Sequence, residues 1–520
     1  MTAEINKEAQ GAADQLARAV AWLHDLVHEG AHLRVDSREV RPGDIFVAVP
    51  GATVDGRAFI RVAAARGAAA VLMEARDDSM PGEHYPVATR AVKNLRAHLG
   101  EVAAAFYGEP SRAMTGIAVT GTNGKTTTAF WCAQLFSKLG APCGVIGTVG
   151  TFFKEKRFEA PELTTPDAVS LQGIYSDMRR AGAEAFAVEA SSVGLEQGRL
   201  AGSRFRIGIF TNLSRDHLDY HRTMQAYEDA KAILFRWPGL EAAVLNANDP
   251  VAERYAAAAA ANGAALWFTG TEGRASKLAE RFPGAHVVEA EDVAMGERGM
   301  TFLLRADAAS ARVSIAQIGA YNVENMLGVV AAALAAGHAF DAVAPLLSTL
   351  SAPPGRLETV HADGMPLGVV DFAHTPDGLQ KTLESLLPAA RARGGRLWVV
   401  FGCGGDRDAG KRPMMGEIAA RLADRVIVTS DNPRTEDPEA ICAAVAAGAA
   451  KAGGARPDVV VDRREAIHRG ILEAAPADIV LVAGKGHETE QITKTGTHHF
   501  SDAEVIREAF NERRMRALSA

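Results

Sequence analysis

The sequence predicts an α/β protein of three domains, with a central P-loop-type parallel-sheet ATPase domain and a C-terminal Rossmann-like α/β domain. Three observations lead to this prediction. The chain has 520 residues, more than a single domain usually holds. From residue 113 onward, short β-rich runs alternate with helical stretches, as they do in parallel α/β sheets. A glycine-rich loop with a lysine follows one of these runs and opens a helix.

Two polar, proline-containing breaks predict the domain boundaries. The first is YGEPSR at Tyr107–Arg112, and the second is SAPPG at Ser351–Gly355, where paired prolines stop any helix. They predict domains over residues 1–112, 113–352 and 353–520. Hydrophobic residues make up 48% of the chain and charged residues 23%, which is ordinary for globular domains with sizeable cores.

Composition argues against several classes of protein. A net charge of -7 disfavours non-specific nucleic-acid binding. No apolar run is long enough to span a bilayer, and the polar start MTAEINKEAQGAADQ does not resemble a signal peptide. The cysteines are too scattered for a disulfide framework or a zinc site. We therefore expect a cytoplasmic protein with small-molecule substrates, and we expect a monomer.

Eight apolar runs after residue 112 are the predicted strands of the two later domains. They are Gly116–Thr120, Ala185–Glu189, Ile207–Thr211, Ala243–Asn246, Gly368–Asp371, Leu397–Phe401, Val426–Thr429 and Ile479–Ala483. Polar residues cluster after these runs, and ligands of open α/β sheets bind beyond the carboxyl ends of the strands. These clusters are therefore candidate sites. The alanine-rich stretch 256–265 predicts mostly helix.

The sequence VTGTNGKTT, Val119–Thr127, is the strongest single motif. Its glycines let backbone N–H groups approach phosphate oxygens, and the helix N-terminus adds a positive dipole. Lys125 supplies a charge for the outer phosphates, and Thr126 supplies a hydroxyl for Mg²⁺. The motif departs from the general P-loop, since Val119 stands where the first glycine would be. The alternative is a glycine-rich turn with a solvated lysine. The predicted ATP-binding residues here are Gly121, Thr122, Asn123, Gly124, Lys125, Thr126 and Thr127.

Three further residues are candidates for the site, but the sequence around each of them does not decide between a functional and a structural role. Glu189 ends a predicted strand and can hold Mg²⁺, although such acids also cap the next helix. His217 follows the next strand and can ligate a cation or belong to a capping cluster. Lys231 lies in an amphipathic helical pattern, where composition favours an ordinary surface lysine.

Four segments in this order, GTNGKTTT, EASS, TNLSRDHLDYH and YEDAKAILF, resemble the central domain of the Mur ligases. These are ATP-dependent, amide-forming enzymes of bacterial cell-wall precursor synthesis. The segments NAND (246–249), GAYNVEN (319–325), GRLE (355–358) and DFAHTPD (371–377) extend the resemblance over nearly the whole chain.

The resemblance implies roles for the candidates at the phosphate loop. Lys125, Glu189, His217 and Lys231 would be catalytic, with Mg²⁺ held by Thr126, Glu189, His217 and a Lys231 carbamylated by CO₂. Nucleotide binding would extend to Asn246, Arg356 and Asp371.

The first block contains DSREVRPGDIFVAV (36–49) and DGR (55–57), similar to the uridine-nucleotide domain of the members that add the third residue of the stem peptide. The chain departs from the common pattern at Ala52 and Thr53, often His and Gln, and at Val193, often His, to which we assign no role. The resemblance implies that the UDP-N-acetylmuramoyl-peptide is bound by Ser37, Thr164, Thr165, Ser191, Gln197 and Arg199.

The last block carries three polar clusters after predicted strands, at 404–408, 431–434 and 484–488. Arginine forks bind carboxylates and a glutamate binds an ammonium, which suits a substrate with two carboxylates and two amines. DNPR at Asp431–Arg434 resembles the members that use meso-diaminopimelate rather than L-lysine. The alternative for Arg434 is a salt bridge to an acid such as Asp437. The residues implied for diaminopimelate are Arg407, Asp431, Asn432, Arg434, Gly484 and Glu488.

The resemblance thus implies addition of meso-diaminopimelate to UDP-N-acetylmuramoyl-L-alanyl-D-glutamate through an acyl phosphate, with ATP and Mg²⁺. Within the superfamily, the alternatives are the same ligase using L-lysine, a ligase for another stem residue, and folylpolyglutamate synthetase. From other classes, they are a P-loop NTPase that only hydrolyses ATP and an inactive UDP-sugar-binding protein. The presence of Lys125, Thr126, Glu189, His217 and Lys231 argues against the inactive protein.

Overall fold

The structure is a computed structural model that describes residues 14–28, 30–51, 54–75, 84–158, 163–296 and 299–519. The predicted departures at Ala52 and Thr53 lie outside the described residues. Two compact units are present. One is built from residues up to 269 together with 274–287 and 328–338, and the other from the remaining residues.

The first unit begins with a small parallel sheet in the strand order β1-β2-β3-β4. β2 is completely buried, and the side chains of β3 are nearly so, because helices cover the sheet. The strands are β1 (Leu33–Arg34), β2 (Ile45–Ala48), β3 (Ala70–Glu74) and β4 (Ala88–Val92). The helices are α1 (14–24), α2 (Ile60–Ala65) and α3 (Leu99–Phe106), with 3₁₀ turns at Gly56–Phe59, Leu95–His98 and Pro110–Ala113.

The larger sheet of the first unit has the strand order β12-β11-β10-β5-β9-β6-β7-β8. Six of its strands are parallel, and β7 and β8 add an antiparallel edge. β5 lies at its centre and is paired with β9 and β10. The strands are β5 (Thr115–Thr120), β6 (Cys143–Gly147), β7 (Gly150–Phe153), β8 (Lys156–Phe158), β9 (Ala185–Glu189), β10 (Ile207–Phe210), β11 (Ala242–Asn246) and β12 (Ala265–Thr271).

Helices alternate with these strands. They are α4 (Lys125–Lys138), α5 (Ala168–Arg180), α6 (Ser192–Glu196), α7 (Leu218–His221), α8 (Met224–Ala232), α9 (Ala252–Ala261) and α10 (Arg274–Ala279), with a 3₁₀ turn at Ile233–Arg236. The alanine-rich stretch is helical up to Ala261 in α9, which confirms most of that prediction, and Ala265 already begins β12.

The second unit contains an antiparallel meander, a six-stranded sheet and a hairpin. The sheet has the order β16-β17-β21-β18-β19-β20, and every strand except β16 is parallel. The meander is β13 (His286–Gly296), β14 (Gly299–Ala306) and β15 (Ala309–Ile315). The sheet strands are β16 (Glu358–Val360), β17 (Leu367–Asp371), β18 (Leu397–Phe401), β19 (Arg425–Val428), β20 (Asp458–Val459) and β21 (Ile479–Ala483), and the hairpin is β22 (Glu490–Thr493) and β23 (Gly496–His499).

The remaining helices follow the same alternation. They are α11 (Ala320–Ala335), α12 (Phe340–Val343), α13 (Pro376–Ala392), α14 (Lys411–Leu422), α15 (Pro438–Lys451), α16 (Arg463–Glu473) and α17 (Asp502–Ser519), with a 3₁₀ turn at Ala344–Thr349. Helices thus lie between consecutive parallel strands, which confirms the predicted α/β class with its parallel central sheet and C-terminal α/β sheet. Within the described ranges, no helix is both long and apolar enough to cross a membrane.

Candidate active site

The loop between β5 and α4 has the backbone of a phosphate-binding loop. Gly121 has φ +150° and Gly124 has φ +83°, and Gly124 precedes the first residue of α4. A Cβ added to Gly121 would lie 1.9 Å from Thr211 Oγ1, so only glycine fits there. Lys125 Nζ donates to the carbonyls of Gly121 and Thr122 at 2.9 Å each. The loop and the helix N-terminus together form an arrangement suited to phosphate.

Residues after β10 hold this loop in shape. Thr211 Oγ1 donates to the Asn123 carbonyl at 2.6 Å, and Asn123 N donates to Asn212 Oδ1 at 3.0 Å. Thr122 Oγ1 lies 3.1 Å from the hydroxyl of Tyr227. Asn246, at the end of β11, donates from Nδ2 to the Thr211 carbonyl at 2.7 Å. Asn246, which is predicted to bind the nucleotide, therefore contacts Thr211, a residue that supports the loop.

Glu189 ends β9 beside the first turn of α4 and is 1% exposed. Its Oε2 accepts from Thr126 Oγ1 at 3.0 Å and from Thr148 Oγ1 at 3.2 Å, and its Oε1 accepts from Thr148 N at 2.8 Å. Thr126 and Glu189 thus present adjacent oxygen atoms, which are the ligands that Mg²⁺ prefers. No charge or motif marks Thr148 in the sequence.

Lys231 is buried in the last turn of α8, with 1% of its surface exposed. Its Nζ donates to the Gly121 carbonyl at 2.7 Å and lies 4.3 Å from the centre of the Tyr227 ring. Burial lowers the pKa of Lys231 well below its ordinary value, and nearby Lys125 lowers it further, while Asp216 opposes them. The surface-lysine alternative is therefore wrong, since this amine contacts the phosphate loop itself.

His217 lies beside the Tyr227 ring and the carboxylate of its neighbour Asp216. Its ring centre is 6.0 Å from that of Tyr227, and its Nε2 is 3.6 Å from Asp216 Oδ2. His217 has φ +52°, in the left-handed region, and directly precedes α7. Its side chain is about half exposed, at 48%, so it is accessible to a ligand.

A group of hydroxyls and an arginine contacts the end of β9 at the Glu189 backbone carbonyl. Thr165 Oγ1 donates to the Glu189 carbonyl at 2.7 Å and lies 2.9 Å from Ser191 Oγ. Arg199 Nη1 donates to the Thr165 carbonyl at 3.1 Å, and its other nitrogens donate to Gln197 Oε1. Four of the predicted peptide-binding residues therefore form one connected network. The fifth, Thr164, joins it through Thr148 Oγ1 at 3.1 Å.

His221 is a buried residue of this region that the sequence analysis did not select. Its Nε2 lies 2.9 Å from Ser192 Oγ, and its Nδ1 lies 3.0 Å from Glu196 Oε2, off the line of a good hydrogen bond. Burial lowers the pKa of His221, and nearby Glu196 opposes that shift. His221 thus connects α7 to α6. These two helices directly follow the predicted site residues His217 and Ser191. The DHLDYH segment contained this histidine, but its partners are distant in sequence.

Ser37 lies in the turn that follows β1 and is buried, with 7% of its surface exposed. The neighbouring Asp36 pairs with Arg38, so the acid of the DSR segment is held by its own arginine. Asp55 caps the 3₁₀ turn at Gly56–Phe59 and pairs with Arg57 in the same way. In the predicted uridine region, both acids are thus paired with an arginine two residues later.

In the second unit, Asp371 at the end of β17 is buried and accepts three hydrogen bonds. The donors are Leu357 N and Ala373 N, both at 2.9 Å, and Thr382 Oγ1 at 3.2 Å. Burial raises the pKa of Asp371, while nearby Arg356 and these hydrogen bonds oppose the shift. The Arg356 guanidinium lies 5.1 Å from the centre of the Phe372 ring. The two predicted nucleotide residues of this unit are therefore neighbours, and Asp371 also fixes the backbone beside Arg356.

The predicted amino-acid residues converge at the carboxyl ends of β18, β19 and β21. Asn432 Nδ2 donates to Glu488 Oε2 at 2.8 Å. Arg434 has φ +53°, and its Nη1 donates to the Gly405 carbonyl at 2.8 Å. Among the described residues, no carboxylate lies within ion-pair distance of Arg434, so the predicted alternative of a salt bridge to Asp437 is not present there.

Asp431 and Gly484 lie at the same edge, and a Cβ added to Gly484 would be 2.7 Å from Asp431 Oδ2. Burial raises the pKa of Asp431, with Arg463 and Lys485 opposing the shift. Arg407 is exposed in the loop after β18. Lys485 is a second residue that the sequence analysis did not select. It is fully buried, and its Nζ lies 3.0 Å from Asn432 Oδ1.

A bound Mg²⁺ needs oxygen donors from the protein or from the phosphate groups beside it. Within the described ranges, no group of three or more His, Cys, Asp or Glu side chains is arranged to hold a metal ion. The pair Thr126 and Glu189 nevertheless offers two hard oxygen donors beside the phosphate loop, which fits Mg²⁺ shared with phosphate oxygens. The lowered pKa of Lys231 favours its neutral amine, the form that reacts with CO₂, so this residue also fits its predicted modification.

Comparison with known families gives three matches. The Mur ligase family catalytic domain matches residues 31–107, the Mur ligase middle domain matches 119–333, and the glutamate ligase domain of Mur ligases matches 355–486. One match falls in each of the three predicted domains, whose boundaries at 112 and 352 stay predictions.

Two relatives match over almost their full length. The UDP-N-acetylmuramoyl-L-alanyl-D-glutamate--2,6-diaminopimelate ligase of Janthinobacterium sp. (strain Marseille) is 43% identical over 508 residues, which cover 97% of this chain and 98% of the relative. The enzyme of the same name from Pseudomonas putida is 46% identical over 475 residues, which cover 90% of this chain and 92% of the relative.

Two solved structures share the fold. A UDP-N-acetylmuramoyl-L-alanyl-D-glutamate--2,6-diaminopimelate ligase is 36% identical with a TM-score of 0.68, over 93% of this chain and 95% of that chain. The MurF ligase of Thermotoga maritima, solved in complex with ADP, is 19% identical with a TM-score of 0.58, over 94% of this chain and 98% of that chain. The second likeness concerns the fold alone.

Proposed function

Since the chain belongs to the Mur ligase family, we propose that it adds meso-diaminopimelate to UDP-N-acetylmuramoyl-L-alanyl-D-glutamate with hydrolysis of ATP to ADP and phosphate. One observation carries the choice of amino acid. At the carboxyl edge of the second unit's sheet, Arg434 has no carboxylate partner among the described residues, and it lies beside Asn432, whose side chain donates to Glu488. This combination suits a carboxylate and an ammonium on the same substrate.

The reaction needs activation, because a carboxylate is a poor electrophile. The terminal D-glutamate carboxylate attacks the γ-phosphorus of ATP, the bond to the ADP oxygen breaks, and an acyl phosphate forms. The amine of diaminopimelate then attacks the acyl carbon and loses a proton to water or to a nearby carboxylate. The tetrahedral intermediate expels phosphate and leaves the amide. The protein mainly positions the reactants and stabilises charge.

The phosphate loop supplies the charge stabilisation in this proposal. The backbone N–H groups of the loop and the Lys125 ammonium would bind the phosphoryl oxygens, and Lys125 would exchange its present carbonyl partners for them. Thr126 and Glu189 would hold one Mg²⁺, and His217 and carbamylated Lys231 a second. The bound Mg²⁺ supplies positive charge that favours phosphoryl transfer. The buried position of Lys231 supports this assignment.

The remaining assignments follow the networks around the loop. Thr164, Thr165, Ser191, Gln197 and Arg199 would bind the uridine-nucleotide substrate. Their hydroxyls and guanidinium suit a pyrophosphate and a carboxylate. Ser37 would contact the uridine end, and Asn246, Arg356 and Asp371 the nucleotide. A monomeric state and a cytoplasmic location stay predictions of the sequence.

The first test is phosphate release from ATP and Mg²⁺ with UDP-N-acetylmuramoyl-L-alanyl-D-glutamate, adding meso-diaminopimelate, L-lysine or no amino acid. Release that depends on diaminopimelate is expected. Release that depends on lysine would keep the ligase and contradict the role of Arg434. Release without any amino acid would favour the plain NTPase.

The substitution Arg434→Ala tests the same assignment at one residue. We expect kcat/KM for diaminopimelate to fall by about 100-fold or more, because a carboxylate loses its charged partner, while KM for ATP changes less than about threefold. Arg421→Ala, which removes an exposed arginine from α14, is the matched control. Equal losses with diaminopimelate and lysine in the Arg434 variant would count against the proposal.

A further inference from the structure

Lys485 is fully buried in the turn that follows β21. It stands between two glycines with positive φ, Gly484 at +120° and Gly486 at +54°. A Cβ on Gly484 would approach Asp431, and a Cβ on Gly486 would lie 2.7 Å from Phe372 Cβ. The turn therefore needs both glycines to bring this lysine beneath the sheet edge. A buried lysine is rare unless its charge is compensated.

The Lys485 ammonium contacts three residues of the amino-acid cluster. Its Nζ lies 3.0 Å from Asn432 Oδ1, 3.1 Å from Glu488 Oε2 and 3.8 Å from Asp431 Oδ1. Glu488 is 36% exposed, whereas Lys485 is fully covered. The lysine thus lies behind the residues that a substrate would reach, and it does not itself face the substrate.

The ammonium helps to determine how the Asn432 amide is turned, because it can only donate hydrogen bonds. Ile492 N also donates to Asn432 Oδ1, at 2.9 Å, so the amide oxygen receives two donors. The amide nitrogen must then face Glu488 Oε2. The second N–H of Asn432 and the Oε1 atom of Glu488 have no hydrogen-bond partner within the part of the chain that the structure describes.

We propose that Lys485 is a positioning residue for the amino-acid substrate, which orients Asn432 as a donor to a carboxylate and Glu488 as an acceptor for an ammonium. The inference rests on the proposed function, since it concerns how the same site recognises its amino acid. Lys485 fixes one oxygen of Glu488 and leaves the other for the substrate. It also offsets the negative charge of Asp431, which is buried behind Glu488.

A different buried cation, Arg463, holds the strand ends together at this sheet edge. Arg463 pairs with Asp502 through Nε at 2.8 Å and Nη2 at 2.7 Å. It also donates to the carbonyls of Ser430 and Ala483, at the ends of β19 and β21. Arg463 therefore connects these two strands, whereas Lys485 bonds to side chains of the cluster. This difference assigns Lys485 to recognition.

The test compares wild-type protein with Lys485→Met, Lys485→Gln and the control Lys494→Met, which removes an exposed lysine from the nearby hairpin. Steady-state kinetics are measured with ATP, with meso-diaminopimelate and with 2-aminopimelate, which keeps the distal carboxylate and lacks the distal ammonium. Thermal unfolding shows which variants are folded. Lys485→Gln keeps a neutral donor for Asn432, so it serves if Lys485→Met does not fold.

For Lys485→Met we expect KM for meso-diaminopimelate to rise by about 10- to 100-fold, the size expected for lost charged hydrogen bonds, with KM for ATP within about threefold. The preference for meso-diaminopimelate over 2-aminopimelate should fall, because Glu488 no longer holds the ammonium well. Lys485→Gln should lie between wild type and Lys485→Met, and Lys494→Met should match wild type.

An unchanged KM for meso-diaminopimelate and an unchanged preference in a folded Lys485 variant would overturn this inference and leave the proposed function intact. Parallel losses for ATP and for both amino acids would also overturn it, because they would indicate a structural role. A wild-type protein that releases phosphate without any dependence on diaminopimelate would instead overturn the proposed function, and this inference with it.

Discussion

Lys231 combines burial with a position against the phosphate loop. Burial and nearby Lys125 lower its pKa, so more of its amine is neutral near neutral pH than in an exposed lysine. Only the neutral amine reacts with CO₂, and at lower pH more of it is protonated. The same buried position that makes an ammonium costly therefore favours conversion to a carbamate.

We predict that activity falls several-fold in CO₂-depleted buffer and returns when bicarbonate is added. The bicarbonate needed for recovery should increase as the pH is lowered, because protonation removes the reactive amine. Lys231→Ala should be inactive at every bicarbonate concentration, whereas Lys138→Ala, at the exposed end of α4, should respond like wild type. Activity that is independent of CO₂ in wild type would contradict the carbamate.

Glu189 accepts hydrogen bonds from Thr126 and from both the backbone and the side chain of Thr148. Glu189→Gln keeps the shape and most of these contacts but removes the charge that a cation needs. We predict that the Mg²⁺ concentration for half-maximal activity rises at least about tenfold, with a change in unfolding free energy below about 2 kcal/mol.

The matched control is Glu184→Gln, which changes an exposed acid just before the opposite end of the same strand. It should leave the Mg²⁺ dependence of the rate unchanged. If Glu189→Gln shows a wild-type Mg²⁺ dependence, Glu189 only holds Thr126 and Thr148 in place and is not a metal ligand.

Lys485 and His221 indicate why single residues of the site were missed. The side chains that these two residues contact are far away in sequence. Asn432 lies 53 positions before Lys485, and Ser192 lies 29 positions before His221. Neither residue type has a spacing that reports such a contact. Lys125, Glu189 and Arg434 could be predicted as candidates because each lies at the end of a strand or just after one, in a recognisable motif.

At the scale of elements, the phosphate loop depends on glycine geometry between β5 and α4. We predict that Gly121→Ala abolishes ATP binding and destabilises the protein more than Gly140→Ala does. Both glycines have positive φ, at +150° and +89°, but an added Cβ meets Thr211 Oγ1 at 1.9 Å only at Gly121 and meets nothing within 4 Å at Gly140. Gly140→Ala should therefore cost only about 1–2 kcal/mol, from its backbone conformation.

Urea unfolding measures the two costs, and binding of a non-hydrolysable ATP analogue measures the function of the loop. Equal destabilisation by the two substitutions, with ATP-analogue binding retained, would mean that the contact of Gly121 with Thr211 does not shape the loop.

The strands that the sequence predicted are buried on both faces and read as continuous apolar runs, as in β9, β18 and β21. Several strands it did not predict are exposed on one or both faces, although β6 is as buried as the predicted strands. β15 alternates between buried and exposed residues, and β22 reads Glu-Gln-Ile-Thr. Their pairing depends on neighbouring strands, and no long apolar run marks them.

At the scale of the whole molecule, the α/β class and the family could be predicted because different family motifs follow one another in order along nearly the whole chain. The site could be predicted only as separate clusters. The position of each cluster at a carboxyl strand end follows from the parallel sheets, but which side chains bond to one another depends on packing. The networks from Thr165 to Arg199 and from Asn432 to Lys485 are examples.

The proposed reaction predicts an intermediate that distinguishes a ligase from a plain NTPase. With ATP, Mg²⁺ and UDP-N-acetylmuramoyl-L-alanyl-D-glutamate but no amino acid, the acyl phosphate should form and stay bound. Hydroxylamine should attack its acyl carbon, release phosphate and give a hydroxamate, which mass spectrometry detects. Adding meso-diaminopimelate should suppress the hydroxamate, because its amine competes for the same carbon. Lys125→Met should form no hydroxamate, since the phosphoryl group loses its positive partner. Phosphate release that needs no UDP-linked substrate and yields no hydroxamate would contradict the acyl-phosphate route.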